Sequence, residues 1–211
     1  KNMLEIACGT GLMMFRLVPH LDSYYGTDFS QYPVDYLKTK LPDLGDKASH
    51  CHLERREAID FEGLTDKRFD TIIMNSVIQY FPSVDYLVDV IKQAVKLVEP
   101  GGAMFLGDLR NFELLESFRT STEIFRSAPT ETIDHLKHRI YQRILHENEL
   151  LISPRLFLAL QEELPEISHV EIIPRPGNDD NELTRYRYEA VLHIQGETPK
   201  PADTVDWIDW Q

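Results

Sequence analysis

The chain has 211 residues, 42% hydrophobic and 10% aromatic, enough to bury a sizeable core and too few for two large domains. Its 35 acidic and 22 basic residues leave a net charge of −13, a field that repels a phosphate backbone and argues against DNA or RNA as substrate. With no apolar run near the roughly 20 residues of a membrane span, no signal-type N-terminus and two cysteines suited to a reducing compartment, the sequence predicts a soluble, cytoplasmic domain without nucleic acid or membrane as partner.

Met3 to Ala7 reads as an apolar strand that turns sharply into a helix from Leu12 to Val18. Glycines at 9 and 11 let the turn approach a ligand with no Cβ in the way. A second strand, Ser23 to Asp28, ends on a carboxylate where the ribose of a nucleotide would lie. In the dinucleotide fingerprint G-x-G-x-x-G the third glycine permits close helix-strand packing; Met14 holds that place here, so NAD fits poorly. Cys8 reads as a small turn residue, since no base is recognisable beside it.

Ser30 is the expected N-cap of a helix to Lys40. A third strand spans Ala48 to Leu53. Its His50-Cys51-His52 has ligand-type residues, but strand alternation turns both histidines one way and Cys51 the other, so no metal is expected. A fourth strand, Phe69 to Asn75, precedes a helix from Val84 to Val98 with an apolar stripe at 84, 87, 88, 91, 94, 95 and 98, ended by Glu99-Pro-Gly-Gly102. Ala103 to Gly107 is the fifth strand. Alternation of strand and helix to this point implies parallel pairing.

Past Gly107 helical character runs through 111 to 127, 130 to 149 and 154 to 163, an insertion that reads as a lid. Aromatics from Phe112 to Phe125 recur at helical spacing and are expected to pack it. Lys137, Arg139 and Arg143 form either a solvated face or a patch for an acidic partner. The strands His169 to Pro174 and Arg185 to Ile194, parted by the polar turn Arg175-Pro-Gly-Asn-Asp-Asp-Asn181, are expected to pair as a hairpin.

The spacing acidic-x-small-x-Gly-x-Gly, carried by Glu5, Ala7, Gly9 and Gly11, resembles motif I of class I S-adenosylmethionine-dependent methyltransferases; the usual first glycine is Ala7 here. The resemblance implies an α/β, Rossmann-like class I methyltransferase fold: a mostly parallel seven-stranded sheet with an antiparallel C-terminal strand and a helical lid insertion. It implies S-adenosylmethionine as cofactor. Glu5 and the turn Ala7 to Gly11 would border its methionine part, Asp28 its ribose hydroxyls, Asp60 the adenine amino group and Asn75 the cofactor's amino group. Cys8, Phe29 and Ser76 complete the cofactor-binding set.

Four further strings narrow the resemblance: Asn75-Ser-Val-Ile-Gln-Tyr-Phe-Pro-Ser83, Phe105-Leu-Gly-Asp-Leu-Arg110, Glu147-Asn-Glu-Leu-Leu-Ile-Ser-Pro154, and Asn181-Glu-Leu-Thr-Arg-Tyr-Arg-Tyr188 with Val191-Leu-His193. Together they look like the methyltransferase domains embedded in nonribosomal peptide synthetases, mostly N-methyltransferases. The family implies methylation of the α-amino group of an aminoacyl thioester on a phosphopantetheinyl carrier protein, beside an adenylation domain. On this reading residues 1–195 are the methyltransferase domain, lacking the helices that normally precede the first strand, with the lid at about 111–163. Residues 196–211, with Trp207-Ile-Asp-Trp210, would be a linker toward a following domain.

Placing a neutral amine at near-attack distance is the main chemical task, and a strong base is optional. Tyr80, Asp108 and Glu182 are candidates to orient the amine or receive its proton. Gln79 would face the methyl side, and Arg110 and Asn181 would hold the acyl or pantetheine end. Against these roles, Tyr80 and Tyr186 read equally as core aromatics and Asp108 with Arg110 as a structural pair. Two other functions remain open: an O- or C-methyltransferase of the same kind of assembly line, which needs a stronger base than any visible lysine or histidine supplies, and an inactive docking module.

Overall fold

A computed structural model describes residues 1–196; of the expected linker, residues 197–211 lie outside the described residues. The strands are β1 (Asn2–Ile6), β2 (Ser23–Asp28), β3 (Cys51–Arg55), β4 (Phe69–Asn75), β5 (Val98–Arg110), β6 (Ile167–Pro174) and β7 (Arg187–Ile194). The helices are α1 (Met14–Leu17), α2 (Gln31–Lys40), α3 (Val84–Ala94), α4 (Leu115–Phe125), α5 (Ile133–Leu145), α6 (Arg155–Glu163) and α7 (Glu182–Tyr186). One seven-stranded sheet has the order β3-β2-β1-β4-β5-β7-β6. Strands β1 to β5 pair in parallel, and β7 runs antiparallel to both β5 and β6.

Alternation along each strand divides the core in two. Leu4 and Ile6 of β1 face the side where α3 contributes Leu87, Val90, Ile91 and Ala94, and α6 contributes Phe157 and Leu160. Met3 faces the other side, with Met14 of α1 and Val34 and Leu37 of α2. Ser83 begins α3 by accepting the Tyr86 amide (3.1 Å), which satisfies one of the donors a helix start leaves unpaired.

Several expected boundaries move, three of them for a clear local reason. The Leu41–His50 segment continues in tight 3-10 turns after α2, so β3 begins at Cys51 and ends at Arg55, not Leu53. The helix expected to reach Val98 ends at Ala94 with a 3-10 turn to Leu97, and Glu99-Pro-Gly-Gly102 lies inside β5 as an irregularity: Phe69 pairs with Val98 and Thr71 with Ala103, and Gly101 takes φ 82°. The polar turn before β7 contains α7, whose N-cap Asn181 delays the strand to Arg187; β6 and β7 still pair antiparallel.

In the lid, Arg139 and Arg143 of α5 turn inward onto Glu123 of α4, at 2.7 and 3.5 Å, and Glu123 is only 2% exposed. These arginines tie the two lid helices together, while Lys137 is exposed and Arg143 keeps 57% of its side chain exposed. Among the described residues, no helix is long and apolar enough to cross a membrane, and no group of three or more His, Cys, Asp or Glu is placed to hold a metal ion.

Candidate methyl-transfer site

Three non-glycine residues adopt the left-handed region at neighbouring strand ends: Ala7 after β1 (φ 64°), Ser76 after β4 (φ 58°) and Asp108 near the end of β5 (φ 63°). Such backbone costs of the order of 1–3 kcal/mol per residue and persists where the surroundings over-determine it. All three lie at the carboxyl edge of the sheet, where open α/β folds bind ligands. Among the cavities on this edge, one is bordered by Ala7 and another lies past the end of β5.

The first cavity, about 270 Å³, is mostly apolar and bordered by Ala7, Phe29, Glu57, Ala58, Val77 and Tyr80. Beside it Asp28 is 6% exposed, and its two carboxylate oxygens accept the amides of Gly9 (3.0 Å) and Ser30 (2.9 Å). A carboxylate has about four acceptor sites, so each oxygen keeps one for a ribose hydroxyl. Gly9 has φ 51°, and a Cβ built there meets nothing within 4 Å, which leaves its backbone open to a ligand. An apolar slot edged by the exposed ring of Phe29, a half-committed buried carboxylate and a bare glycine turn fit the nucleoside of S-adenosylmethionine.

Glu5 is 4% exposed and accepts the Tyr24 hydroxyl at 2.5 Å. Burial raises its carboxyl to about 7, against the smaller opposing effect of that hydrogen bond. Cys8 is buried next to it, and burial with the nearby Glu5 and Asp28 charges pushes its thiol up to about 12, so it is unreactive as a nucleophile. A group whose folded pKa is raised contributes stability that is complete below its unfolded value and lost as pH rises through the folded one. Glu5→Gln is therefore expected to gain on the wild type as pH climbs from about 4.5 to above about 7, by about 3 kcal/mol at the plateau, read as urea unfolding free energy against pH without ligand.

Ala7 explains why glycine is usual at its position: its Cβ pays for φ 64° with strain that glycine lacks. Ala7→Gly is expected to raise the unfolding free energy by about 1 kcal/mol, measured by chemical denaturation. A lower value for the glycine variant would show that the turn is not strained.

The remaining cofactor-side candidates are placed as follows. Asn75 turns its side chain toward Gly107 and donates to the Ser76 hydroxyl at 3.2 Å. Asp60 does not line the apolar cavity. Its carboxylate accepts from Arg56 and from the Glu62 amide, both at 3.0 Å, and Glu57 and Ala58 border the slot instead. Asp60 lies five residues past the end of β3 and borders, with Phe29, Arg55, Arg56 and Glu57, a cavity that adjoins the apolar one.

The second cavity, about 230 Å³, lies at the end of β5 and the start of β7, under α4 and α7. Arg110, Arg119, Glu147, Glu149, Glu182 and Arg187 supply its charge, and Leu115, Phe118, Leu151 and Tyr186 its apolar walls. Arg110 does not reach for a ligand. Its guanidinium is bound by Glu147 through two bonds of 2.8 Å and by Glu149 at 2.9 Å. Asp108 is not its partner: Asp108 is paired with Arg187 at 2.9 Å and with Arg175. Asn181 is also committed, since its side-chain carbonyl caps α7 by accepting the amides of Leu183 (2.8 Å) and Thr184 (3.3 Å).

The three expected catalytic residues are thus not brought together. Tyr80, 71% exposed, borders the cofactor-side cavity; Asp108 lies between two arginines; Glu182 alone borders the polar cavity. Gln79 is buried, its side-chain oxygen has no partner among the described residues, and its main-chain carbonyl accepts Leu150 at 2.8 Å. Tyr186 is not a core aromatic but a wall of the polar cavity, its hydroxyl donating to Ser121 at 2.8 Å. Sequence reasoning gave no role to Glu57, Glu147, Glu149 or Arg187. Three of these lie in or beside motif strings already singled out; Glu57 carried no such signal.

Residues 4–104 match the family described as "Methyltransferase domain". The chondramide synthase of Chondromyces crocatus is 44% identical over 214 residues, covering 100% of this chain and 5% of the synthase. The enniatin synthetase of Fusarium oxysporum is 32% identical over 217 residues, covering 100% of this chain and 7% of that protein. Among solved structures, the N-methyltransferase NodS of Bradyrhizobium japonicum in complex with S-adenosyl-L-homocysteine shares the fold, with TM-score 0.62 and 16% identity over 92% of this chain and 78% of that one. The chain is a methyltransferase domain with the class I methyltransferase fold, and over its whole length it is similar to a segment of proteins named nonribosomal peptide synthetases. It spans less than a tenth of the length of the curated relatives named here.

Proposed function

We propose that this domain transfers a methyl group from S-adenosylmethionine to the α-amino nitrogen of an aminoacyl thioester held on a phosphopantetheinyl carrier protein, within an assembly line that also contains an adenylation domain. When bound, the cofactor supplies an electrophilic methyl group on a sulfonium. Asp28 holds the ribose end and the turn from Ala7 to Gly11 borders the methionine end, while the polar cavity receives the acceptor.

The observation that carries the choice of nitrogen is that two carboxylates in that cavity are not fully committed to its three arginines. Glu149 gives one oxygen to Arg110, and its other oxygen accepts no hydrogen bond among the described residues. Glu182 borders the same space without an ion pair among those residues. Methylation turns a neutral amine into an ammonium, and two carboxylates stabilise the positive charge as it develops on nitrogen. They then accept or relay the proton that nitrogen loses. A hydroxyl or carbon acceptor must first become an anion, which the same carboxylates oppose, and the lining holds no lysine or histidine among the described residues to remove that proton. Relatives named as nonribosomal peptide synthetases, such as one of Penicillium thymicola that is 34% identical over 216 residues, support the carrier-bound aminoacyl substrate.

The test is to incubate the full-length protein with methyl-labelled S-adenosylmethionine and a carrier protein loaded with an amino acid, and to locate the label by fragment mass spectrometry. Label on the α-nitrogen is expected. Label on oxygen or carbon, or none, overturns the reading.

A further inference from the structure

The apolar wall of the polar cavity has no part in the ion pairs or in the proposed chemistry. Leu151 owes its place to strand-like alternation in the segment that bridges, through Ile152, to Asn111 just past the end of β5. Leu150 packs on the main core and Ile152 is buried in it, so Leu151 between them faces the other way, into the cavity. The segment is pinned by the amides of Leu150 to Gln79 (2.8 Å) and Ile152 to Arg110 (2.9 Å), both on main-chain carbonyls. On the opposite wall Leu115, Phe118 and Arg119 share one face of α4 by their spacing of three and four.

Phe118 is a fixed part of this wall. The guanidinium carbons of Arg119 and Arg110 lie 4.9 and 5.6 Å from its ring centre, and the Tyr186 ring lies at 5.2 Å. Leu115 and Leu151 are only half-buried and make no such contacts. They are the walls that a ligand can cover.

Resting on the proposed function, we propose that Leu151 and Leu115 form the side-chain ruler of the acceptor cavity. They contact the α-substituent of the aminoacyl thioester while Glu149 and Glu182 hold its nitrogen, and they favour uncharged apolar side chains up to a size that the two leucines set. A difference of one methylene in such a pocket changes kcat/KM by about 10- to 200-fold, so a change of wall residue is read in relative rates.

The experiment gives the full-length protein an equimolar mixture of glycyl, leucyl and phenylalanyl N-acetylcysteamine thioesters and measures relative kcat/KM from the methylated products. Leu151→Phe is expected to lower the leucyl-to-glycyl ratio by about tenfold or more, and Leu151→Ala to raise the phenylalanyl-to-glycyl ratio by a similar factor. Leu115→Phe, on the other wall, is read the same way, so that misfolding of one variant leaves the result intact. Ratios unchanged within about twofold in every folded variant overturn the ruler while leaving N-methylation standing. A wild type that methylates none of the three overturns the proposed function and the ruler with it.

Discussion

Asp28→Ala is expected to weaken S-adenosylmethionine binding by at least about a hundredfold, measured by calorimetry on the folded variant. Each hydrogen bond from a ribose hydroxyl to an ionised carboxylate is worth about 1.5–3 kcal/mol, and two such bonds are lost. A second loss adds to it. The carboxylate also fixes the ligand-facing turn by accepting the Gly9 and Ser30 amides, which lose their partner in the alanine variant. Asp28→Asn separates the two contributions, because one amide oxygen still accepts while the new NH₂ group meets a donor. Affinity intermediate between wild type and alanine is expected for it. A Kd unchanged in Asp28→Ala would mean that the apolar cavity beside Phe29 is not the nucleoside site.

Most of the fold was legible because its signals are local. Ser23 to Asp28 and Phe69 to Asn75 appear as expected to the residue, since a buried parallel strand is a short apolar run bounded by turn residues. The glycine turn and Asp28 were legible for a similar reason: one strand, one turn and the end of the neighbouring strand are close in sequence. The acceptor side was harder to read. Arg110, Asp108 and Asn181 looked like ligand contacts because each is polar and lies in a motif string, yet each is committed to a partner distant in sequence or to a helix cap. A linear reading finds polar residues but not their pairing. Glu182 is already a candidate from the sequence, whereas Glu149 stands out only after Arg110 has been assigned to other work. Asp60 shows the same limit: its pairing with Arg56 and the Glu62 amide is not visible in a linear reading, although it borders a cavity with Phe29 and Glu57.

Glu147 shows how much of the acceptor side depends on one side chain, and Glu147→Ala is expected to destabilise the domain by about 3–5 kcal/mol. Its side chain is 8% exposed, and it binds Arg110 at the end of β5 and Arg119 of α4, the latter at 2.6 Å. It also accepts the amides of Asn148 (3.1 Å) and Glu149 (3.2 Å), which shapes the segment that carries Glu149 and Leu151 into the cavity. Removing it leaves the buried Arg110 with Glu149 alone and Arg119 without that carboxylate. Burial alone would raise the Glu147 carboxyl, but the hydrogen bonds from Arg110, the Glu149 amide and Arg119 outweigh it and hold the group at about 2. A depressed folded pKa contributes stability that is complete above the unfolded value and lost as pH falls toward the folded one. The wild type is therefore expected to lose stability from Glu147 between about pH 4.5 and about 2, and Glu147→Gln to lack that part of the acid slope. Urea midpoints measured across this range check both statements. A Glu147→Gln profile parallel to the wild type down to pH 2 would show that the carboxylate is not what ties the lid to the sheet. With stability retained and only the acceptor KM raised, the segment would be a substrate contact and not a structural tie.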